Sequence, residues 1–103
     1  MRRVVWSESA LTDYCDVVEY IAAESVDAAK NVAQRIDDTI ETLAFMPTGR
    51  QGRVAGTYEK VVSGIPYIIA YALSDEPSHT EMLTILRIIH GARHWPEGQW
   101  PEQ

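Results

Sequence analysis

Residues 67–73 have the sequence YIIAYAL, and residues 81–90 have the sequence EMLTILRIIH. The first segment is apolar at every position, which is typical of a strand covered on both faces. The second alternates so that each face of a strand again carries apolar side chains: Met82, Leu86 and Ile88 on one face, and Leu83, Ile85 and Ile89 on the other. We therefore expect two central strands joined by a hairpin loop at residues 74–78, SDEPS.

Two amphipathic helices are predicted before these strands. Ser7 is a suitable N-cap for a first helix that runs to about Glu24, and Asp27 is expected to cap a second. Pro47 and Gly49 end the second helix, and the short connection between the helices makes them an antiparallel hairpin. The apolar stripe of the first helix is predicted to bury Cys15 as a structural thiol, with Asp13 on the opposite, exposed face.

The order of elements predicts an α+β domain. Arg3–Trp6 is β-branched and aromatic, as in a first strand, and residues 53–63 are expected to be extended. The resulting order is β-αα-βββ, a helical hairpin packed on one face of a mainly antiparallel sheet, with the N-terminal strand at an edge. We expect a single domain over residues 1–96, with Trp95 and Pro96 packed at the sheet edge, and an irregular tail over residues 97–103.

Composition excludes several classes of function. Nine basic against 15 acidic residues give a net charge of −6, which argues against broad nucleic-acid binding and against direct recognition of a DNA sequence. The second half of the chain is nearly neutral, so that if a polyanionic or acidic partner binds, it is expected to bind there. No apolar run approaches the roughly 20 residues that span a bilayer, and the N-terminus lacks a signal-peptide pattern. We therefore expect a cytoplasmic protein without a membrane partner.

The sequence predicts neither a metal site nor a cofactor. Cys15 is the only cysteine, which excludes an intrachain disulfide and a cysteine-rich zinc site. The three histidines, His79, His90 and His94, do not have the spacing of metal ligands.

Four segments, in their order and spacing, resemble the ParE/RelE toxin superfamily and more specifically its ParE branch. They are WSESA at residues 6–10, GRQGRVAGT at 49–57, PYIIAY at 66–71 and ILRIIHGARHWP at 85–96. The resemblance extends from about Val4 to Pro96. It implies the toxin of a type II toxin–antitoxin system, of the kind that stabilises plasmids, held inactive by an antitoxin protein that lies across it. ParE-like members poison DNA gyrase, whereas RelE-like members cut messenger RNA on the ribosome.

The ribonuclease alternative requires a base for the 2′-hydroxyl, an acid for the leaving oxygen and cations around the phosphate. The candidate catalytic residues are His90, Arg87 and Arg93, with His94, Glu59 and Tyr67 nearby in sequence. Arg87 and His90 are three residues apart and should lie on opposite faces of an unbulged strand. Arg87 lies among apolar residues, so an ion pair with Glu59 or with a helix acid is the expected structural role.

The inhibitor alternative requires surface contacts and no chemistry. Arg50 and Arg53 flank a glycine in a loop, where burial is unexpected, and with Arg93 they are the predicted target-binding residues. Because RelE-type nucleases are typically basic and this chain is acidic, a gyrase inhibitor is ranked first and a ribosome-dependent RNA endonuclease second. Convergence of Arg87, His90 and Arg93 on one exposed patch would favour the nuclease; a buried His90 and an ion-paired Arg87 would favour the inhibitor.

Overall fold

A computed structural model describes residues 2–75, 81–92, 95 and 98–101. Within these residues the chain forms two helices and five strands: β1 (Arg3–Trp6), α1 (Glu8–Ala22), α2 (Val26–Phe45), β2 (Arg50–Gln51), β3 (Tyr58–Val61), β4 (Tyr67–Asp75) and β5 (Glu81–His90). The predicted α+β architecture is confirmed. Of the segment over residues 53–63 that was expected to be extended, Tyr58–Val61 forms the strand β3, and a turn separates it from the short strand β2.

The five strands form one sheet in the order β1-β5-β4-β3-β2. β2 to β5 are antiparallel neighbours, whereas β1 lies at the edge and runs parallel to β5. β4 and β5 are the two central strands expected from their sequences. β4 continues to Asp75, so the first two residues of the predicted hairpin loop belong to the strand, and residues 76–78 lie outside the described residues.

A β-bulge in β5 corrects the predicted distribution of its side chains. Ala70 lies opposite Arg87 and Tyr71 lies opposite Ile85, so Leu86 is an extra residue without a partner in β4. The extra residue reverses the alternation, and Ile88 therefore joins Leu83 and Ile85 in the core beneath the helices. Strict alternation along the sequence predicted Ile88 on the face opposite Leu83 and Ile85. That prediction was wrong because the alternation pattern does not reveal a bulge.

Serine caps begin both helices. The Ser7 hydroxyl accepts a hydrogen bond from the backbone N–H of Ala10, as predicted. The second helix begins earlier than expected, since Ser25 and not Asp27 is its N-cap and accepts from the N–H of Ala28. Asp27 instead lies in the first turn of α2, where its charge favours the helix dipole.

The prediction that Cys15 is buried is wrong. The inward face of α1 follows Ala10, Asp13, Tyr14 and Val17, whereas Cys15 is exposed and Leu11 is half exposed. The stripe chosen from sequence lies next to the true inward face, because α1 has apolar residues over more than half of its circumference.

Two apolar clusters cover opposite faces of the sheet. The larger lies between the helices and the sheet and includes Ile36 and Leu43 of α2 with Ile69 and Tyr71 of β4. The smaller combines Ile68 and Ile89 with Trp95, and Trp100 packs against it. The second face of the central strands is therefore partly covered by residues near the C-terminus. Trp95 packs on this face and not, as had been expected, at the sheet edge, and Pro96 lies outside the described residues.

Gly49, between α2 and β2, provides a test of the close packing at this end of the sheet. Its φ is +136°, and an added Cβ would lie 2.6 Å from the carbonyl oxygen of Glu59. We expect Gly49→Ala to lower the free energy of unfolding by about 3 kcal/mol, because strain and a clash with backbone combine. Gly56→Ala is the matched control: its φ is +81° but the space around it is open, so about 1 kcal/mol is expected. Urea denaturation measures both, and equal losses would contradict the packing described.

Candidate functional site

Asp13 of α1 and Arg87 of β5 form a buried ion pair. Arg87 Nε donates to Asp13 Oδ2 at 2.7 Å, and Arg87 Nη2 donates to Oδ1 at 3.3 Å. The same Oδ2 accepts the backbone N–H of Ile88 at 2.9 Å. Arg87 Nη1 lies 3.4 Å from the carbonyl oxygen of Pro101. The pair thus joins the first helix, the central strand β5 and the C-terminal segment.

This arrangement follows from the unequal lengths of β1 and β5. The pairing of β1 ends where Trp6 meets Ile85, although β5 continues to His90. Beyond that point α1 lies along the edge of β5: Ser7 N–H donates to the Ile85 carbonyl and Ser7 Oγ donates to the Leu86 carbonyl, each at 2.9 Å. Asp13 then accepts from the next free N–H. The prediction that Asp13 is exposed is wrong because its carboxylate completes the hydrogen bonding of the strand edge.

Arg87 is therefore paired with a helix acid, one of the two partners expected from sequence, and not with Glu59. Arg87 and His90 lie on different faces of β5, as expected, because the bulge at Leu86 precedes both of them. Arg87 is opposite Ala70, whereas His90 is opposite Tyr67, and these partners are three residues apart on β4.

His90 lies in an open groove between the second half of α1 and the ends of β4 and β5. The groove has a volume of about 700 Å³ and is lined by Asp13, Asp16, Val17, Tyr20, Tyr67, Ile88 and His90. The His90 ring contacts Tyr67 edge to face at 5.1 Å between centroids. Its Nδ1 accepts the backbone N–H of Ala92 at 3.0 Å. In the neutral ring the proton is thereby assigned to Nε2.

Tyr67, which lines this groove, and Tyr14 of α1 both keep their hydroxyl proton at physiological pH. Burial raises the pKa of Tyr67, and the neighbouring Tyr20 adds to the effect. Burial also raises the pKa of Tyr14, followed by the charge of Asp37, whose carboxylate accepts the Tyr14 hydroxyl at 3.2 Å. Neither hydroxyl loses its proton near neutral pH, so neither supplies a base there.

Arg50 and Arg53 converge on a second buried acid, Glu59 of β3. Arg50 Nη2 donates to Glu59 Oε1 at 3.1 Å, and the backbone N–H of Arg53 donates to Oε2 at 2.8 Å. The Arg53 Nε lies 4.0 Å from Oε1. The Glu59 side chain is 0% exposed, against 59% for Arg50 and 33% for Arg53. We define these three residues as the arginine loop site.

Trp95 completes the arginine loop site from the C-terminal side. The Arg53 guanidinium carbon lies 4.1 Å from the centroid of the Trp95 ring, in cation–π geometry. The backbone N–H of Gly98 donates to the Arg53 carbonyl at 2.8 Å. Trp95 in turn packs against Trp100, with ring centroids 6.0 Å apart. Burial was unexpected for both loop arginines; Arg50 is exposed, whereas Arg53 is half-buried and contacts protein on several sides.

The predicted residues thus lie in separate places. The structure brings together Arg50 and Arg53, which were predicted to bind a target, but it separates Arg87 from His90. Arg93, named in both alternatives, and His94 and His79 lie outside the described residues. Across the part of the chain that is described, no three histidine, cysteine, aspartate or glutamate side chains are arranged to hold a metal ion.

Asp13 and Trp95 have roles that the sequence analysis did not assign, and Glu59 was considered only as a possible ion-pair partner or as a member of a catalytic set. One signal was present for Asp13: with Ala10, Tyr14 and Val17 it follows the i, i+3, i+4, i+7 pattern of an inward helix face. Glu59 and Trp95 had none, because their contacts depend on how β3 and the C-terminal segment cross the sheet.

Comparison with known proteins agrees with this geometry. Residues 4–95 match the profile of the ParE toxin of the type II toxin–antitoxin system parDE. The chain belongs to the ParE toxin family. The protein Y4kP of Sinorhizobium fredii is 35% identical over 97 residues, covering 93% of this chain and 95% of that protein. The toxin RelE2 of Caulobacter vibrioides is 36% identical over 94 residues, covering 90% of this chain and 99% of that protein.

The fold of this ParE family member also occurs in a chain of the chromosomal ParDE system from P. aeruginosa. The two superpose with a TM-score of 0.75 at 19% identity, over 87% of this chain and 96% of that one. Family membership makes the protein a type II toxin of the ParE/RelE superfamily and implies an antitoxin partner. Neither helix in the described part of the chain is long and apolar enough to cross a bilayer.

The buried ion pair predicts that two neighbouring acids of α1 contribute very differently to the free energy of unfolding. Asp13→Ala should lower the free energy of unfolding by about 3–5 kcal/mol, because it leaves the Arg87 charge buried without this partner. Asp16→Ala, three residues along the same helix at an exposed position, should change it by less than about 0.5 kcal/mol. Chemical denaturation followed by circular dichroism measures both values. A loss below about 1 kcal/mol for Asp13→Ala would contradict the role assigned to the pair.

Proposed function

We propose that this toxin inhibits DNA gyrase by binding it, and that Arg50 and Arg53 make the decisive contacts, with Arg93 as a further contact. The observation that supports the proposal is the arginine loop site. Two guanidinium groups share one buried carboxylate, so these three residues carry a net positive charge on a chain whose total is −6. Both side chains remain partly exposed, and arginines in such positions are frequent binding hot spots.

The state of Arg87 also supports binding over catalysis. A nuclease needs mobile or solvent-facing cations at the scissile phosphate. The Arg87 guanidinium is buried, with two nitrogens hydrogen-bonded to Asp13 and a third near the Pro101 carbonyl. Releasing it toward a phosphate would leave the Asp13 charge buried without this partner, which is energetically costly. Of Arg50, Arg53 and Arg87, the two that remain available to a target are therefore Arg50 and Arg53.

Pre-organisation makes these arginines suitable for recognition. A flexible surface arginine loses side-chain entropy when it binds, and this loss offsets part of the contact energy. Glu59 reduces the loss by holding Arg50 and the Arg53 backbone before the target arrives. Arg53 also lines an open depression of about 470 Å³ with Gln51, Gly52 and Ala55. An acidic side chain of the target is the group that fits this surface.

A RelE-like ribosome-dependent endonuclease is the second candidate, and the groove at His90 favours it. His90 presents Nε2 for proton transfer while its Nδ1 is occupied by Ala92. Tyr67 and Tyr20 add hydroxyl groups in the same groove. The groove also contains the carboxylates of Asp13 and Asp16, which oppose the approach of an RNA phosphate.

The antitoxin is expected to cover apolar side chains that the fold leaves exposed. Tyr20, Phe45, Met46 and Val61 are each more than half exposed, although large apolar side chains are usually buried in an isolated domain. Covering such residues favours a stable complex and leaves the polar arginine loop site to the target.

The arginine loop site predicts which charges matter for toxicity. Arg50→Ala/Arg53→Ala leaves Glu59 buried without its guanidinium partners, so Glu59→Gln is added to the same chain to remove that charge. We expect this triple variant to lose toxicity and to leave gyrase supercoiling at least about tenfold less inhibited, which corresponds to roughly 1.4 kcal/mol of binding. Growth arrest in the bacterial host, supercoiling by purified gyrase and melting temperature are measured together.

Three further variants accompany that experiment. Lys30→Ala removes one exposed positive charge from α2 and should leave toxicity unchanged. Glu59→Gln alone should retain most of it, since both arginines are still present. His90→Ala should also remain toxic. A folded, non-toxic His90→Ala together with a toxic triple variant, and messenger RNA cleaved at ribosomes, would establish the endonuclease instead.

A further inference from the structure

Arg53 makes more contacts with the protein than an arginine at the surface usually makes. Its backbone N–H is bonded to Glu59, and its backbone carbonyl accepts from Gly98. Its guanidinium lies over the Trp95 ring at 4.1 Å and within 4.0 Å of the Glu59 carboxylate. Arg50, by contrast, is held by one hydrogen bond among the described residues, of 3.1 Å to Glu59, and its side chain is more exposed. The described part of the C-terminal segment therefore contacts Arg53 through Trp95 and Gly98.

Trp95 contributes its ring and not its hydrogen-bonding group. The indole Nε1 is buried and has no hydrogen-bond partner among the described residues. A buried donor without a partner destabilises a fold, so the N–H does not account for a tryptophan at this position. The aromatic ring accounts for it. The ring packs with Ile68 and Ile89 on the sheet, and the Arg53 guanidinium lies over it.

The segment that carries Trp95 is itself fixed to the domain. Gly98 bonds to Arg53, Trp100 packs on Trp95, and the Pro101 carbonyl lies 3.4 Å from Arg87 Nη1. Pro101 is also buried. These contacts fix the ring in relation to the sheet, so the guanidinium that rests on it is fixed as well.

We propose that Trp95 is a positioning residue for target binding, which holds the Arg53 guanidinium in its binding orientation, and that Gly98 to Pro101 keep Trp95 in place. The inference rests on the proposed role of Arg53 in binding a target. The region near the C-terminus, predicted from sequence as packing and an irregular tail, is thereby part of the target-binding surface. A stacked guanidinium keeps its N–H edge free, so it can donate to an acidic group while the ring supports its face.

A double-mutant cycle tests the proposal in the full-length toxin. The variants are Trp95→Leu, Arg53→Leu and the two combined, and the measurements are affinity for purified gyrase and growth arrest in the host. Trp95→Leu should weaken gyrase binding about tenfold, within the range of a partly buried cation–π contact. In the Arg53→Leu background it should have almost no further effect, because the side chain that it positions is absent.

Two further variants separate positioning from stability. Trp6→Leu removes a tryptophan that packs under the helices against Tyr14, far along the sheet from β2, and controls for a general loss of stability. It should lower the melting temperature and leave gyrase affinity within about twofold of the wild type. Trp95→Phe keeps an aromatic face and loses an N–H that has no described partner, so it should restore most of the affinity that Trp95→Leu loses.

The outcomes distinguish this inference from the proposed function. Additive effects of Trp95→Leu and Arg53→Leu, or a loss no larger than that of Trp6→Leu, would overturn the positioning role while gyrase inhibition stands. Non-additive effects on growth arrest in a toxin that does not bind gyrase would support the positioning role and overturn the target. A wild-type chain that neither binds gyrase nor arrests growth would overturn both.

Discussion

The buried Asp13–Arg87 ion pair is the constraint on which the rest of the structure depends. β5 is longer than its neighbour β1, and the backbone beyond Ile85 would face no strand on that side. Asp13 supplies the missing acceptor for Ile88 and at the same time neutralises Arg87. One carboxylate thereby fixes the position of α1 along the strand, and through Pro101 the guanidinium also contacts the C-terminal segment. Removal of either partner leaves a buried charge, so the pair is expected to be far more costly to break than an exposed ion pair.

A second buried acid, Glu59, has a parallel role at the other edge of the sheet. Arg50, Glu59, Ala70 and Arg87 form one row across four strands, from β2 to β5. The two arginines at its ends differ in exposure: Arg87 is enclosed by protein, whereas Arg50 faces solvent. This difference separates a cation that stabilises the fold from cations that can meet a partner. It is the physical basis for proposing inhibition by binding in place of catalysis at the last strand.

Much of the fold could be predicted from the sequence, because it depends on local signals. Ser7 as a cap, the end of α2 before Pro47 and the two central strands each follow from short patterns. The bulge and the position of Asp13 were missed for one reason, since both depend on contacts between distant segments. The bulge at Leu86 changes the face of Ile88, and the exposed edge of β5 requires Asp13 to face inward. Of the candidate site, Arg50 and Arg53 were found from a glycine-containing loop that resembles a family motif, but Glu59 and Trp95 become visible only once the sheet is assembled.

The most direct test of this account asks whether Arg87 is needed for anything besides the fold. In Asp13→Asn/Arg87→Met both charges are removed together, and the asparagine oxygen can still accept the Ile88 N–H. Replacing a buried ion pair in this way is often close to neutral in stability. Melting temperature and growth arrest are measured on the same variant. The account predicts a folded protein that remains toxic, because the charges that meet the target are at Arg50 and Arg53. A variant that is folded but harmless would show that Arg87 acts on the target, and would contradict the account.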